Sequence, residues 1–157
     1  MLHIFVDADA CPVKDEVYRV AARYDLDVTL VAAAWQRTPE QPRVDLHVVG
    51  QGIDGADDWI VAHVEAGDIV ITADIPLAAR CLERGARVLG SGGKPFTPDN
   101  IGVALATRGL LSELRELGEM TGGPAPFEPR DRSLFLQQLD ESINAIRRAA
   151  TGAQIRE

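Results

Sequence analysis

Two short stretches restrict this chain more than anything else in it: His3-Ile4-Phe5-Val6-Asp7, and "DIVITAD" at residues 68–74. Each is an apolar run rich in β-branched residues, and each is too short to be an ordinary helix. A strand that alternates apolar and polar residues has one wet face. A strand that is apolar throughout is covered on both faces, as in a parallel sheet flanked by helices. Both runs end in aspartate, and between and after them the apolar positions change to helical spacing. Strands alternating with helices predict a three-layer α/β fold around a mostly parallel sheet.

Along the chain, residues 2–7 read as the first strand. A helix follows from Pro12 to Tyr24, with Val13, Val17, Val20 and Ala21 in helical register and Pro12 suited to a first turn. "LDVTLVAAA" (26–34) is a second strand, and after a loop with Pro39 and Pro42, "VDLHVVG" is a third. "DGADDWIVAHVEAG" reads as a helix capped by Asp54 and stopped by Gly67, with Ile53, Asp57, Ile60 and Val64 on one face. "DIVITAD" is a fourth strand, "IPLAARCLERG" a helix closed by Gly85, and "ARVLG" a fifth strand. The remainder is helical. An apolar stripe runs through Ile101, Leu105, Leu110, Leu111, Leu114 and Leu117, a "TGGPAPFEP" loop follows, and a last helix covers about Arg132 to Arg148. The expected architecture is a sheet of about four to five strands, flanked by helices, with a helical C-terminal region. Residues 1–150 make one domain, and 151–157 read as a disordered tail.

At 157 residues the chain can bury a core without staples. Cys11 and Cys81 show no paired spacing, which argues against a disulfide framework or a structural zinc site. No apolar run approaches bilayer length, so the expectation is a cytoplasmic protein without a membrane segment. The net charge of −8 votes against a general nucleic-acid coat. It does not exclude a nuclease, because acidic metal sites contribute negative charge that bound cations offset.

In parallel α/β sheets ligands bind outside the carboxyl ends of the strands. Asp7, Asp9 and Asp74 all fall at such ends, and Asp57 falls in the first turn of the intervening helix. Asp7 and Asp9 are two apart and share a face if the extended backbone persists. Converging carboxylates repel and titrate high unless a cation neutralises them. Oxygen ligands without His or Cys suit Mg²⁺ or Mn²⁺, and such ions activate water and clamp a phosphodiester. The plainer reading is that each acid starts a helix: Asp9 ahead of Pro12, Asp74 ahead of Pro76, and Asp54, Asp57 and Asp58 at a helix N-terminus.

The segments "VDADACPVK", "GADDWIV", "GDIVITADIPLAARCLERGA" and "TGGP…RDRSLF…L" resemble the YaiI/YqxD family of uncharacterised bacterial proteins, over nearly the whole chain. That resemblance implies a PIN-like nuclease fold, in which a strand-end Asp, a helix acid and a later strand-end Asp hold a divalent metal. Asp7, Asp57 and Asp74 match those positions, with Asp9 as a fourth. One departure is the "GSGGKPF" turn after the fifth strand, where an Arg- or Asn-bearing turn is expected and Lys94 stands as the local cation.

Other residues complete the picture. Lys14, Lys94, Arg130 and Arg132 are candidate contacts for a substrate phosphate, set against simple pairing with nearby acids. Cys11 lacks the Cys-x₅-Arg phosphatase loop and reads as a packed thiol. "GSGGKP" is not a Walker loop, because Pro95 follows Lys94. His3, His47, His63, Trp35 and Trp59 read as packing residues, the two tryptophans being too few for a stacking platform. The leading expectation is a divalent-metal phosphodiesterase acting on RNA or single-stranded nucleic acid. The alternatives are a non-catalytic PIN-like module binding RNA or protein and, well behind, a haloacid-dehalogenase-type phosphatase with Asp7 as nucleophile and Asp9 as general acid.

Overall fold

The computed structural model of the protein describes residues 2–50, 55–118 and 127–155. The chain enters as strand β1 (His3–Asp7), makes a 3-10 turn over Ala8–Ala10, and continues as helix α1 (Lys14–Arg23) and strand β2 (Asp27–Ala32). Strand β3 (Val44–Val48), helix α2 (Gly55–His63), strand β4 (Ile69–Ile71) and helix α3 (Ile75–Glu83) follow. Strands β5 (Arg87–Leu89) and β6 (Pro95–Phe96) then lead into helices α4 (Ile101–Glu116) and α5 (Pro129–Ile155).

The strands form one sheet in the order β3-β2-β1-β4-β5-β6, parallel except for β6. From β1 the chain winds outward through β2 and β3, then returns to the other side of β1 and winds outward through β4, β5 and β6. The strand order therefore reverses between β1 and β4, which opens a crevice beyond their carboxyl ends.

The apolar runs alternate between two cores, as period-2 geometry requires. Ile4, Val6, Val28, Leu30, Ile69, Ile71 and Leu89 point to one face, where they meet Val13, Val17 and Val20 of the α1 region and Phe135, Leu139 and Ile143 of α5. Phe5, Val31, Val70 and Val88 point to the other, against Ile60 and Val64 of the α2 region and Leu77, Ala78 and Cys81 of α3. The continuous hydrophobicity of these strands is thus explained: both faces are covered.

The structure departs from expectation in several places. Among the described residues there are six strands where four to five are expected, because the proline-bearing β6 is too short to show as a pattern and pairs antiparallel at the sheet edge. Helix α1 begins at Lys14, after the 3-10 turn, and α5 runs from Pro129 to Ile155, beyond the expected span at both ends and through most of the expected tail. Helix α4 buries none of its residues. Trp35 does not pack: 77% of its surface is exposed. His47 and His63, by contrast, stack on Trp59, with centroids 4.2 and 3.8 Å apart, and His3 stacks on Phe5. The cap expected at Asp54, the packing of Ile53 and most of the "TGGPAPFEP" loop lie outside the described residues.

Candidate functional site

The crevice between β1 and β4 holds a cavity of about 200 Å³ lined by Asp7, Asp9, Cys11, Ile71, Thr72, Ala73, Asp74 and Ser91. Asp7 ends β1 and is half-buried. Its Oδ2 accepts a hydrogen bond from Thr72 Oγ1 at 2.9 Å, and Thr72 Oγ1 in turn accepts from the Asp74 backbone N–H at 3.0 Å. Thr72 is buried, so this relay fixes the Asp7 carboxyl from below. Burial pushes the Asp7 carboxyl above its ordinary value of 3.8; the Thr72 bond opposes that shift, and the charges of Asp74 and Asp9 add to it.

Asp9 reaches the cavity by a different route from the one its spacing suggests. The 3-10 turn breaks the extended backbone after Asp7, and both Asp9 carboxylate oxygens accept from the Ala33 N–H, at 3.2 and 3.1 Å, just beyond β2. Asp74 caps α3: its Oδ1 accepts from the Leu77 N–H at 3.1 Å, with a proline in the first turn. Capping and cavity-lining therefore coexist in the same residue.

Asp57 is not on this wall. It is half-buried in the first turn of α2, and its charge is felt by the Cys81 thiol of α3, which burial, first of all, pushes up to about 12. Asp58 is exposed and pairs with Arg80 of α3 at 2.9 Å. The structure thus gathers Asp7, Asp9 and Asp74 and leaves Asp57 beside α3. Among the described residues, no group of three or more His, Cys, Asp or Glu side chains stands at a spacing that could hold a metal ion.

The expected phosphate contacts separate. Lys14, at the start of α1, lines a hollow of about 450 Å³ next to the acidic cavity, with Cys11 common to both. Lys94 is exposed in the turn joining β5 to β6, whose backbone is closed by Gly90 N–H donating to the Lys94 carbonyl at 2.9 Å; its side chain lines neither space. Arg130 pairs with Glu128 at the exposed start of α5, at 2.8 Å. Arg132 donates to Glu16 Oε1 and to the Pro12 carbonyl, each at 3.0 Å, and its guanidinium lies over the Phe127 ring. Both arginines have protein partners, Arg130 in Glu128 and Arg132 in Glu16 and the Pro12 carbonyl. Cys11 is half-buried and burial raises its thiol; the Val13 backbone bond and Lys14 oppose that shift, and Asp7 and Glu16 add to it.

Two residues of the cavity escape a reading of the sequence alone: Thr72 and Ser91. Thr72 sits two residues before Asp74 in "VITAD", the one polar residue of an otherwise apolar run, and that interruption is the available signal. Glu16 is buried in α1 with Oε2 lacking any hydrogen-bond partner among the described residues.

Fold and site together define a doubly wound α/β domain with an acidic cavity at its topological switch point. The chain belongs to the YaiI/YqxD family of uncharacterised bacterial proteins, whose sequence profile matches residues 5–145. It is similar to UPF0178 proteins of Rhodopseudomonas palustris strain TIE-1 (56% identical over 152 residues, 96% of each chain) and Nitrobacter winogradskyi (54% over 153 residues, 98% of each). A third, from Rhodospirillum centenum, is 58% identical over 152 residues, covering 94% of this chain and 99% of its own. No solved structure matches the chain. No helix among the described residues is long and apolar enough to cross a membrane.

Proposed function

We propose that this domain is a divalent-metal-dependent phosphodiesterase that acts on RNA or another single-stranded nucleic acid at the β1–β4 crevice. The observation that carries the reading is Asp7: a half-buried carboxyl, raised by burial and by two neighbouring carboxylates, at the edge where such folds bind ligands. A cation is what such a cluster lacks electrostatically. The donors are hard oxygens, which suits Mg²⁺ or Mn²⁺ and not zinc. Two of the three carboxylates already serve backbone N–H groups, so a closed protein cage is not what these residues form. Mg²⁺ is commonly held by one or two carboxylates together with substrate phosphates, and Asp7 with the free oxygen of Asp74 answers to that pattern.

When bound, such an ion supplies Lewis-acid charge at a phosphoryl oxygen and a water of lowered pKa. The chain's own groups do the positioning. Thr72 orients the Asp7 carboxyl, the Leu77 N–H holds Asp74, and Ala33 holds Asp9 on the opposite wall, where it can accept a proton from an attacking water.

Metal-free protein titrated calorimetrically with Mn²⁺ and single-stranded RNA tests this. The expected outcome is saturable uptake and cleavage, with Asp7→Asn and Asp74→Asn each lowering the rate by roughly two orders of magnitude or more while remaining folded. No heat at millimolar Mn²⁺ in the presence of RNA, together with no cleavage, rejects the reading. A second reading, a non-catalytic nucleic-acid- or protein-binding module, is favoured by the backbone bonds of Asp9 and Asp74, which give both acids a structural use. RNA binding without turnover would select it.

A further inference from the structure

The hollow next to the acidic cavity is lined by Cys11, Pro12, Lys14, Asp15, Tyr18, Arg37, Thr38 and Pro39. Two of its walls come from the start of α1 and the loop that leaves β2. Lys14 Nζ donates to Gln36 Oε1, which ties those walls together and leaves two ammonium protons uncommitted. Arg37 makes no hydrogen bond or ion pair among the described residues. Asp15 is the one carboxylate on the wall, so the two cations outnumber it. Tyr18 is largely buried beneath, and burial, with smaller contributions from Asp15 and Cys11, pushes its phenol up to about 12, so it remains a hydrogen-bond donor at neutral pH.

The same loop carries Trp35, 77% exposed. A lone exposed apolar residue ordinarily signifies little. This one is placed by its neighbours: Ala33, two residues before it, is bonded to Asp9 on the acidic wall, and Gln36 and Arg37, directly after it, serve the hollow. The loop that leaves β2 thus carries, in chain order, the Ala33 contact to Asp9, an indole in water at Trp35, the Gln36 bond to Lys14 and the Arg37 cation of the hollow, with Cys11 shared between the hollow and the acidic cavity. Cationic grooves with exposed aromatic rings are how single strands are held without sequence preference, the phosphate on the cations and the base on the ring.

We propose that this hollow, with Trp35 on its rim, is a subsite for one nucleotide of a single strand: Lys14 and Arg37 take its backbone phosphate and Trp35 stacks its base. The neighbouring phosphate then reaches the acidic cavity past Cys11. The inference rests on the phosphodiesterase reading for what happens at Asp7, but binding at the subsite needs no metal and is measured without it.

The experiment is fluorescence anisotropy of an end-labelled ten-nucleotide single-stranded RNA, in EDTA, with the native chain, Trp35→Ala and Lys14→Ala/Arg37→Ala, each shown to be folded by circular dichroism. Trp35→Ala is expected to weaken binding roughly 5- to 150-fold, the loss of one base–aromatic stack. The double variant is expected to weaken binding and to flatten the dependence of log K on log salt by roughly 0.7 to 1.4. RNA should also quench the tryptophan emission of the native chain and not that of Trp35→Ala, in which Trp59 remains. Equal binding by all three proteins overturns the subsite and leaves the phosphodiesterase reading standing. No binding of RNA by the native chain overturns it too; Mn²⁺-dependent hydrolysis of bis(p-nitrophenyl) phosphate then reports separately on the Asp7 site. A free mononucleotide that quenches Trp35 at the same concentration as the decamer rejects the polymer as ligand.

Discussion

The surroundings of Asp7 disfavour its charged form, and the consequence for stability has a definite sign. Its folded-state pKa lies above the ordinary 3.8, chiefly through burial. The folded state therefore binds the Asp7 proton more tightly than the unfolded chain does. The stability this contributes is fully present below 3.8 and is lost as pH rises through the folded value. Asparagine stays neutral throughout and can still accept from Thr72. Asp7→Asn should thus gain on the native chain as pH rises, with a higher urea midpoint at about pH 7 and little difference below 3.8. Urea titrations at both pH values check this, and a variant less stable than native at neutral pH would contradict it. The acids themselves are legible in the sequence because each of Asp7 and Asp74 stands where an apolar run stops. Their setting is not. Thr72 shows in the sequence only as a polar interruption of an apolar run, with no sign of the bond it makes to Asp7, and Asp9's turn toward Ala33 depends on a 3-10 turn that no periodicity announces. Residue type alone makes Trp35 a packing residue; it stands instead 77% exposed in the loop between β2 and β3.

Among the elements, the turn between β5 and β6 and helix α4 show two opposite uses of glycine. Gly93 has φ +86°, and a Cβ there would lie 2.8 Å from the Leu134 carbonyl carbon of α5. The "GSGGKP" turn is therefore seated against a helix backbone, and Ser91 of the same turn reaches the acidic cavity. Gly93→Ala is expected to lose about 2 kcal/mol or more, from the left-handed backbone and the collision together. Gly102 and Gly109 lie inside α4, where an added methyl would meet no heavy atom within 4 Å. Alanine at either should stabilise the protein by roughly 0.5–1 kcal/mol, the difference in helix propensity. Chemical denaturation of the three single variants separates the cases; a Gly93→Ala protein as stable as native would mean the turn does not bear on α5. The turn and helix are both visible in the sequence as a glycine cluster and an apolar stripe. What the stripe packs against is not, because periodicity gives the face of a helix and not its neighbour: Leu105, Leu110 and Leu117 of the stripe are 39%, 57% and 73% exposed.

For the molecule as a whole, the last helix is packed on the sheet and bonded to α1, the helix whose start lines the hollow. Helix α5 covers one face of the sheet with Phe135, Leu139 and Ile143, all fully buried, one helical turn apart. It is also fastened to both ends of α1. At the far end, Asn144 Nδ2 donates to the Tyr24 hydroxyl at 3.2 Å and Arg147 to the Tyr24 carbonyl at 3.0 Å. At the near end, Arg132 binds Glu16 and the Pro12 carbonyl, next in sequence to Cys11, which lines both the acidic cavity and the hollow. Glu16 is the vulnerable partner, since its side chain is 11% exposed while that of Arg132 is 46% exposed. Removing Arg132 leaves both carboxylate oxygens of a buried charge without a protein partner, whereas removing the charge of Glu16 leaves an arginine that water can reach. Arg132→Ala should therefore cost about 1–3 kcal/mol, below the range for a fully buried pair because Arg132 is itself half in water. Glu16→Gln should cost less, and Arg132→Ala/Glu16→Gln should be more stable than Arg132→Ala alone, a coupling of at least about 0.5 kcal/mol. Urea unfolding of the four proteins closes that cycle. If Arg132→Ala unfolds at the native midpoint, the clamp does not hold α5, and Arg132 becomes available again as the phosphate contact its place in the sequence suggested.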